Sequence, residues 1–417
     1  MATVRTIRHA DAGTARPNSS PTELPSPGEA LECVLDHTAA LSAAPVSLQD
    51  ATGCVLAEDV MSDRDYPPFD RSMMDGYAVR LADAGKPVRE AAQTLAGESH
   101  ARPFQAGEAV AVMTGAPCPP GTEAVVPWEA TSRDGDAIEL PRSIRPGQNI
   151  VRAGTECTEG EVVIRPGVRI TSLVIALLAS FGYESVRVIP KPRCLIVTTG
   201  SELVPVHERP EDSAIRNSNQ PMAAAMLADD GIESVRLEHV FDDPRRTEAI
   251  LAEADEDCII FCGGISAGRS DFVPGAMLSQ GAEILVHKVA QKPGKPFFFA
   301  KRDCQLIFGL PGNPLACHVC AHVYALPALR RMQSKPCHHA GGTGTLSAAL
   351  SEKKGRTEFV LCHVSAEDGH WRVTPAGVRG SADIYNAANA NALLGLEPGA
   401  EFPAGQEVAF EWLGFAL

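Results

Sequence analysis

The chain has 417 residues, 44% of them hydrophobic, and a formal net charge of −15, so it is too long for one ordinary core and about two to four domains are expected. An acidic balance of this size excludes a nonspecific nucleic-acid binder, because neutralising phosphates needs a basic surface. No stretch approaches the roughly 18 uninterrupted apolar residues of a membrane span, residues 1–26 lack an apolar signal core, and the twelve cysteines are scattered, so a cytoplasmic protein with reduced thiols and no membrane partner is expected.

Residues 1–26, rich in Pro, Ser, Thr and Ala, read as a flexible tail. Order begins at Ser26-Pro27-Gly28-Glu29, where an N-cap serine, a proline at the first helical position and a glutamate at the third predict a helix carrying Leu31, Val34 and Leu35. A second helix is expected from Ser172 to Phe181, stopped by Gly182. These segments, 27–60 and 151–185, are grouped as one discontinuous N-terminal domain. Between them, short apolar runs broken by Gly and Pro predict an inserted β-rich domain over 61–150. Its run Pro67-Pro68-Phe69-Asp70-Arg71-Ser72-Met73-Met74-Asp75-Gly76 could fix Asp70 and Asp75 near a bound anion and metal, although Asp-Gly alone marks an ordinary turn.

From 186 to 335 strands and helices alternate: strands at 194–198, 235–240, 258–261 and 306–308, helices at 220–228, 245–254 and 314–332. This pattern predicts a mostly parallel, doubly wound α/β domain whose ligand sits beyond the carboxyl ends of the strands. Residues 336–417, with short strands and Gly/Pro turns, predict a C-terminal β domain; Gly341-Gly342-Thr343-Gly344 is taken as a linker into it.

Each α/β strand runs into a polar loop: Gly200-Ser201-Glu202, Asp242-Asp243-Pro244, Gly263-Gly264 through Ser266 to Asp271, and Gly309-Leu310-Pro311-Gly312-Asn313-Pro314. Glycines let backbone N–H groups approach an anion, and a following helix N-terminus favours it. Neither the P-loop ending nor the dinucleotide glycine spacing is present. Lys288, Lys292 and Lys295, held in a turn by two prolines and a glycine, form an expected oxyanion site in an otherwise acidic chain. Asp75, Glu202, Asp242 and Asp271 lie in turn-like segments and suit a shared Mg²⁺. Cys317, His318, Cys320 and His322 look like a metal cluster, but the cysteines fall on one helix face and core packing is their expected role.

With these motifs placed, the chain resembles the molybdopterin molybdenumtransferase family, the MoeA and gephyrin E-domain proteins. The matching blocks are Pro68-Phe69-Asp70 to Ala78, Met113-Thr114-Gly115-Ala116-Pro117, Gly147-Gln148-Asn149-Ile150, Thr199 to Leu203, Asn217 to Asn219, Gly263 to Gly268 with Asp271, Lys292 to Pro296, and Gly309 to Pro314. The resemblance implies an α/β domain of the molybdopterin-binding type, a homodimer, and a groove formed by that domain of one subunit and the inserted module of the other. It also implies Mg²⁺-dependent insertion of molybdate into adenylated molybdopterin with release of AMP. Asp75, Thr114, Glu202, Asp242, Asp271, Lys288 and Lys292 would then be catalytic, with Glu202, Asp242 and Asp271 on Mg²⁺. Lys295, Ser266, Gly263, Gly264, Gly312, Asn313, Arg379 and Ser381 would bind the oxyanion or the substrate. A molybdopterin adenylyltransferase and molybdoenzyme maturation proteins are the implied further partners.

Met73, Ser201 and Ala316 depart from the family pattern. A noncatalytic receptor-clustering scaffold of the same fold and a molybdopterin adenylyltransferase are the competing readings. The acids and lysines argue against the first, the flanking domains and the Lys-Pro-Gly-Lys turn against the second.

Overall fold

The computed structural model describes residues 24–95, 97, 103–265, 272–352 and 354–414. The chain divides into two compact units. One holds the N-terminal segment through Ala44, Gly53–Val55 and the chain from Ile189 onward; the other holds Pro45–Thr52 and Leu56–Val188. Apart from 24–26, the tail expected over 1–26 lies outside the described residues. Among the described residues no helix is long and apolar enough to cross a membrane.

Helix α1 (Pro27–Asp36) starts as its sequence requires: Ser26 Oγ accepts from the Glu29 N–H at 3.2 Å and Glu29 Oε2 accepts from the Ser26 N–H at 2.8 Å, which closes a capping box. Its partner differs from the one expected. Ala30 and Val34, both fully buried, pack in the α/β core with Leu326 and Leu329, so the helix belongs by packing to the first unit and not with residues 151–185. An apolar stripe says that a helix is buried without saying against what.

The α/β sheet contains β1 (Cys194–Thr199), β2 (Val235–Val240), β3 (Cys258–Cys262), β4 (Glu283–His287), β5 (Phe298–Arg302) and β6 (Gln305–Leu310), in the order β2-β1-β3-β6-β5-β4. The first three pairings are parallel and the last two antiparallel. Alternate residues of β1, β3 and β6 enter two different cores: Ile196, Ile260 and Phe308 pack on one side, Leu195, Val197, Ile259, Phe261 and Ile307 on the other. Two-sided burial explains why these strands are continuous apolar runs. Helices α1, α2 (Asn219–Asp229), α5 (Pro314–Cys320) and α6 (Leu326–Met332) supply residues to the first core, α3 (Pro244–Glu253) and α4 (Val273–Ser279) to the second. β1 connects to β2 on one side and the chain then returns to β3 on the other, which puts the topological switch at the carboxyl ends of β1 and β3.

The C-terminal strands β7 (Gly341–Leu346), β8 (Thr357–Glu367), β9 (His370–Pro375), β10 (Ala392–Leu396) and β11 (Glu407–Trp412) close on themselves, because β8 pairs with both β9 and β10. Gly341–Gly344 is therefore a barrel strand and not a linker. A Cβ on Gly341 would stand 2.2 Å from the Phe410 carbonyl oxygen and one on Gly344 2.7 Å from that of Trp371, so glycine permits close approach of neighbouring backbones here.

The second unit carries a six-stranded sheet that includes Gly76–Val79, Pro87–Thr94, Glu108–Val112 and Ala124–Pro127. Gly76 opens a central strand instead of sitting in a simple turn: a Cβ there would lie 2.3 Å from the Val126 carbonyl oxygen.

Candidate active site

In the second unit, antiparallel pairing of Gly76 with Val112 brings Asp75 beside Thr114. Asp75 Oδ1 accepts from the Thr114 N–H at 2.7 Å and from its hydroxyl at 2.8 Å. These donors, the backbone N–H first, hold the Asp75 carboxyl below its usual range. Thr114 thus spends its hydroxyl on Asp75. Asp70 has a different role, accepting from Arg152 and from the Ala153 N–H at 2.9 Å. It ties two segments of that unit together.

In the α/β domain the carboxyl edge gathers the expected loops. Asp242 Oδ2 accepts from the Ser201 N–H at 3.4 Å, and the Asp242 N–H donates to Ser201 Oγ at 3.2 Å, so the serine that departs from the family pattern clips the first loop to the second. The Glu202 carboxylate folds over Gly200, where a Cβ would stand 2.6 Å from Oε2. Ser266 and Asp271 lie outside the described residues. Among the described residues no three His, Cys, Asp or Glu side chains group to hold a metal, which leaves Glu202 and Asp242 as two carboxylates on adjoining loops. Two carboxylates completed by water and phosphate oxygens are an ordinary Mg²⁺ donor set.

Gly263 and Gly264 have φ of 99° and 67°, the left-handed region that favours glycine. Both press on Thr199: a Cβ on Gly263 would stand 3.0 Å from its Oγ1, one on Gly264 2.6 Å. That hydroxyl is buried with no hydrogen-bond partner among the described residues, and so is Asn219 Oδ1, whose amide nitrogen donates to the Gly312 carbonyl at 2.7 Å. Two orphaned polar atoms among glycine loops at a switch point are the signature of a polar ligand site. Thr199 and Asn219 fall in two of the matching blocks, yet burial and the lack of a partner, which single them out, are not visible in a sequence.

Asn313 and Ser381 are brought together. Asn313 Nδ2 donates to Ser381 Oγ at 2.7 Å, and the Ser381 carbonyl accepts from the Leu315 and Ala316 N–H groups at 3.1 and 3.3 Å, capping the start of α5. Arg379 is exposed, two residues before Ser381, and its N–H donates to Asp383 at 2.9 Å.

The lysine turn is less free than expected. Lys295 is exposed and Lys288 half-buried with a φ of 68°, but Lys292 Nζ is paired with Glu358 of β8. The expected free ammonium at 292 is therefore a partnered one, which an oxyanion would have to take from Glu358. Gly294 lies against α5, a Cβ there falling 3.6 Å from the Ala316 carbonyl oxygen. Cys317 and Cys320 are fully buried members of the core, the role expected from their helical spacing.

The model of the MoeA N-terminal region (domain I and II) matches residues 26–182, that of a probable molybdopterin binding domain 195–331, and that of the MoeA C-terminal region (domain IV) 343–413. The molybdopterin molybdenumtransferase of Staphylococcus epidermidis strain RP62A is 32% identical over 391 residues, 91% of this chain and 93% of that protein. That of Bacillus subtilis strain 168 is 35% identical over 371 residues, 85% and 86% of the two chains. The crystal structure of the molybdopterin biosynthesis MoeA protein from Pyrococcus horikoshii OT3 matches with a TM-score of 0.75 and 28% identity, covering 94% of this chain and 100% of that one. With three domain matches in order and relatives aligned over most of its length, this chain belongs to the MoeA family of molybdopterin molybdenumtransferases.

Proposed function

We propose that the protein inserts molybdenum from molybdate into adenylated molybdopterin and releases AMP. The observation that carries this reading is the carboxyl edge of the α/β sheet, where Gly263, Gly264 and Gly312 surround the Thr199 hydroxyl and Asn219 carbonyl, both without a hydrogen-bond partner among the described residues. Such a cradle suits a polar, anionic ligand approached by backbone N–H groups. Glu202 and Asp242, with Asp271, would hold Mg²⁺, which when bound neutralises phosphate oxygens. Lys288, Lys292 and Lys295 would hold the oxyanion by charge-assisted hydrogen bonds. Ser266, Gly312, Asn313, Arg379 and Ser381 are the remaining proposed contacts, Ser381 through the Asn313 amide. Asp75 and Thr114 act in this scheme as one unit, the ionised carboxylate being held by both Thr114 donors.

The proposal includes a homodimer, a molybdopterin adenylyltransferase that supplies the substrate, and maturation proteins of molybdoenzymes that receive the product. Chelation tests the metal part directly. AMP release that stops on removing Mg²⁺ and returns on adding it back supports the role of Glu202 and Asp242; equal release in both conditions removes it.

A further inference from the structure

The Lys292–Pro296 turn is bracketed by two buried residues, Gln291 (0% exposed) and Phe297 (1%), and both meet the same side chain. Tyr324, itself 0% exposed, donates its hydroxyl to Gln291 Oε1 and stacks its ring on Phe297 with centroids 4.2 Å apart and planes 26° apart. Gln291 Nε2 donates to the Pro293 carbonyl at 3.0 Å and to Cys320 Sγ at 3.4 Å, and that sulfur donates to the Gly294 carbonyl at 3.6 Å. The tip of the turn is pressed on the same sulfur: a Cβ on Gly294 would stand 2.4 Å from it. Tyr324 lies in the π-helical turn Ala321–Ala325 between α5 and α6, just before Pro327, which supplies no N–H to that turn. Burial holds the phenol above its usual range, so it stays a donor.

A chain of buried hydrogen bonds with every member satisfied rigidifies what it touches. Its hydrogen bonds reach the proposed oxyanion turn at Pro293 and Gly294, and the Tyr324 ring meets Phe297, the residue that follows the turn. We infer that Tyr324 and Gln291, with Cys320, are positioning residues for the reaction: through Gln291 and Pro293, which flank it, they hold Lys292 in register for the substrate oxyanion without touching it. The inference rests on the reading of the lysine turn as an oxyanion site.

The test compares Tyr324→Phe, which keeps the ring stack and removes only the hydroxyl, with Lys292→Ala and with the double variant, measuring the KM for molybdate, the KM for adenylated molybdopterin and kcat of AMP release. Lys292→Ala is expected to raise one KM; Tyr324→Phe should raise the same KM roughly threefold to tenfold, with kcat at saturation within about twofold. The double variant should be no worse than Lys292→Ala alone, because both act through one group. Cys320→Ala, which loosens the turn from its tip, should raise that KM as well and stands in if Tyr324→Phe does not fold. A raised KM in Lys292→Ala with both positioning variants unchanged overturns the inference and leaves the oxyanion site standing, and so do additive effects in the double variant. No change of either KM in Lys292→Ala and Lys295→Ala overturns the oxyanion reading and the inference with it.

Discussion

Thr199 Oγ1 lies beneath Gly264, 2.6 Å from where a Cβ on that glycine would stand, and it is buried without a hydrogen-bond partner among the described residues. A buried hydroxyl left unpaired costs about 1–3 kcal/mol, so the folded state alone gains nothing from it. Thr199→Val should raise the melting temperature and lower kcat/KM by about tenfold or more, the worth of a hydrogen bond to a charged ligand. A variant that gains stability and keeps full kcat/KM would show that the hydroxyl serves no ligand.

Asp75 offers a titration test with a fixed sign. Its carboxyl is lowered by the Thr114 N–H and then by the Thr114 hydroxyl. A folded-state value depressed in this way contributes stability above the unfolded value of about 3.9, and that stability is lost as pH falls through the folded value. Thr114→Val removes one donor and keeps the other, so the Asp75 titration should move upward while staying below about 3.9. Carboxyl-carbon NMR measures it directly, and an unmoved midpoint would contradict the hydroxyl's part.

The pairing of Lys292 with Glu358 sets substrate and carboxylate in competition for one ammonium. Lys292 and Glu358 side chains keep 39% and 24% of their exposure, so solvent screens the pair and it is worth about 0.2–1 kcal/mol. Glu358→Gln should lower the KM for the oxyanion by up to about fivefold. An increased KM would mean that Glu358 aims the lysine instead of occupying it.

Asp242→Asn keeps an oxygen for the Ser201 N–H, so the clip between the two loops and the fold should survive. What it loses is charge. The Mg²⁺ concentration for half-maximal AMP release should rise at least about tenfold, because even indirect disturbance of a metal site costs that much. An unchanged Mg²⁺ requirement in the folded variant would exclude Asp242 as a ligand.

Much of the α/β domain was legible because two-sided burial writes the inner parallel strands as apolar runs followed by Gly: β1 and β3 fall where Cys194 and Cys258 open those runs, and the edge strand β2 shows in the Val235, Leu237 and Val240 of a mixed segment that runs into Asp242. The edge strand β4 and its neighbour β5 were not, since Lys288 to Pro296 between them reads first as a turn of chemical interest. Gly341–Gly344 escaped because low strand propensity hides a glycine strand whose need is backbone proximity. At the site, loop chemistry was legible and partnership was not. Glu358 lies 66 residues from Lys292, and Tyr324 33 residues from Gln291, separations that no local pattern encodes. Thr199 and Asn219 needed the fold before their unpartnered atoms could be seen.

In the proposed reaction, transfer of molybdenum is coupled to loss of the adenylate, and the ratio of the two products measures that coupling. Incubating the purified protein with adenylated molybdopterin, Mg²⁺ and molybdate, and then quantifying free AMP and pterin-bound molybdenum, should give equal amounts that rise together with molybdate. AMP release without molybdenum in the pterin, or no AMP release at all, would contradict the account.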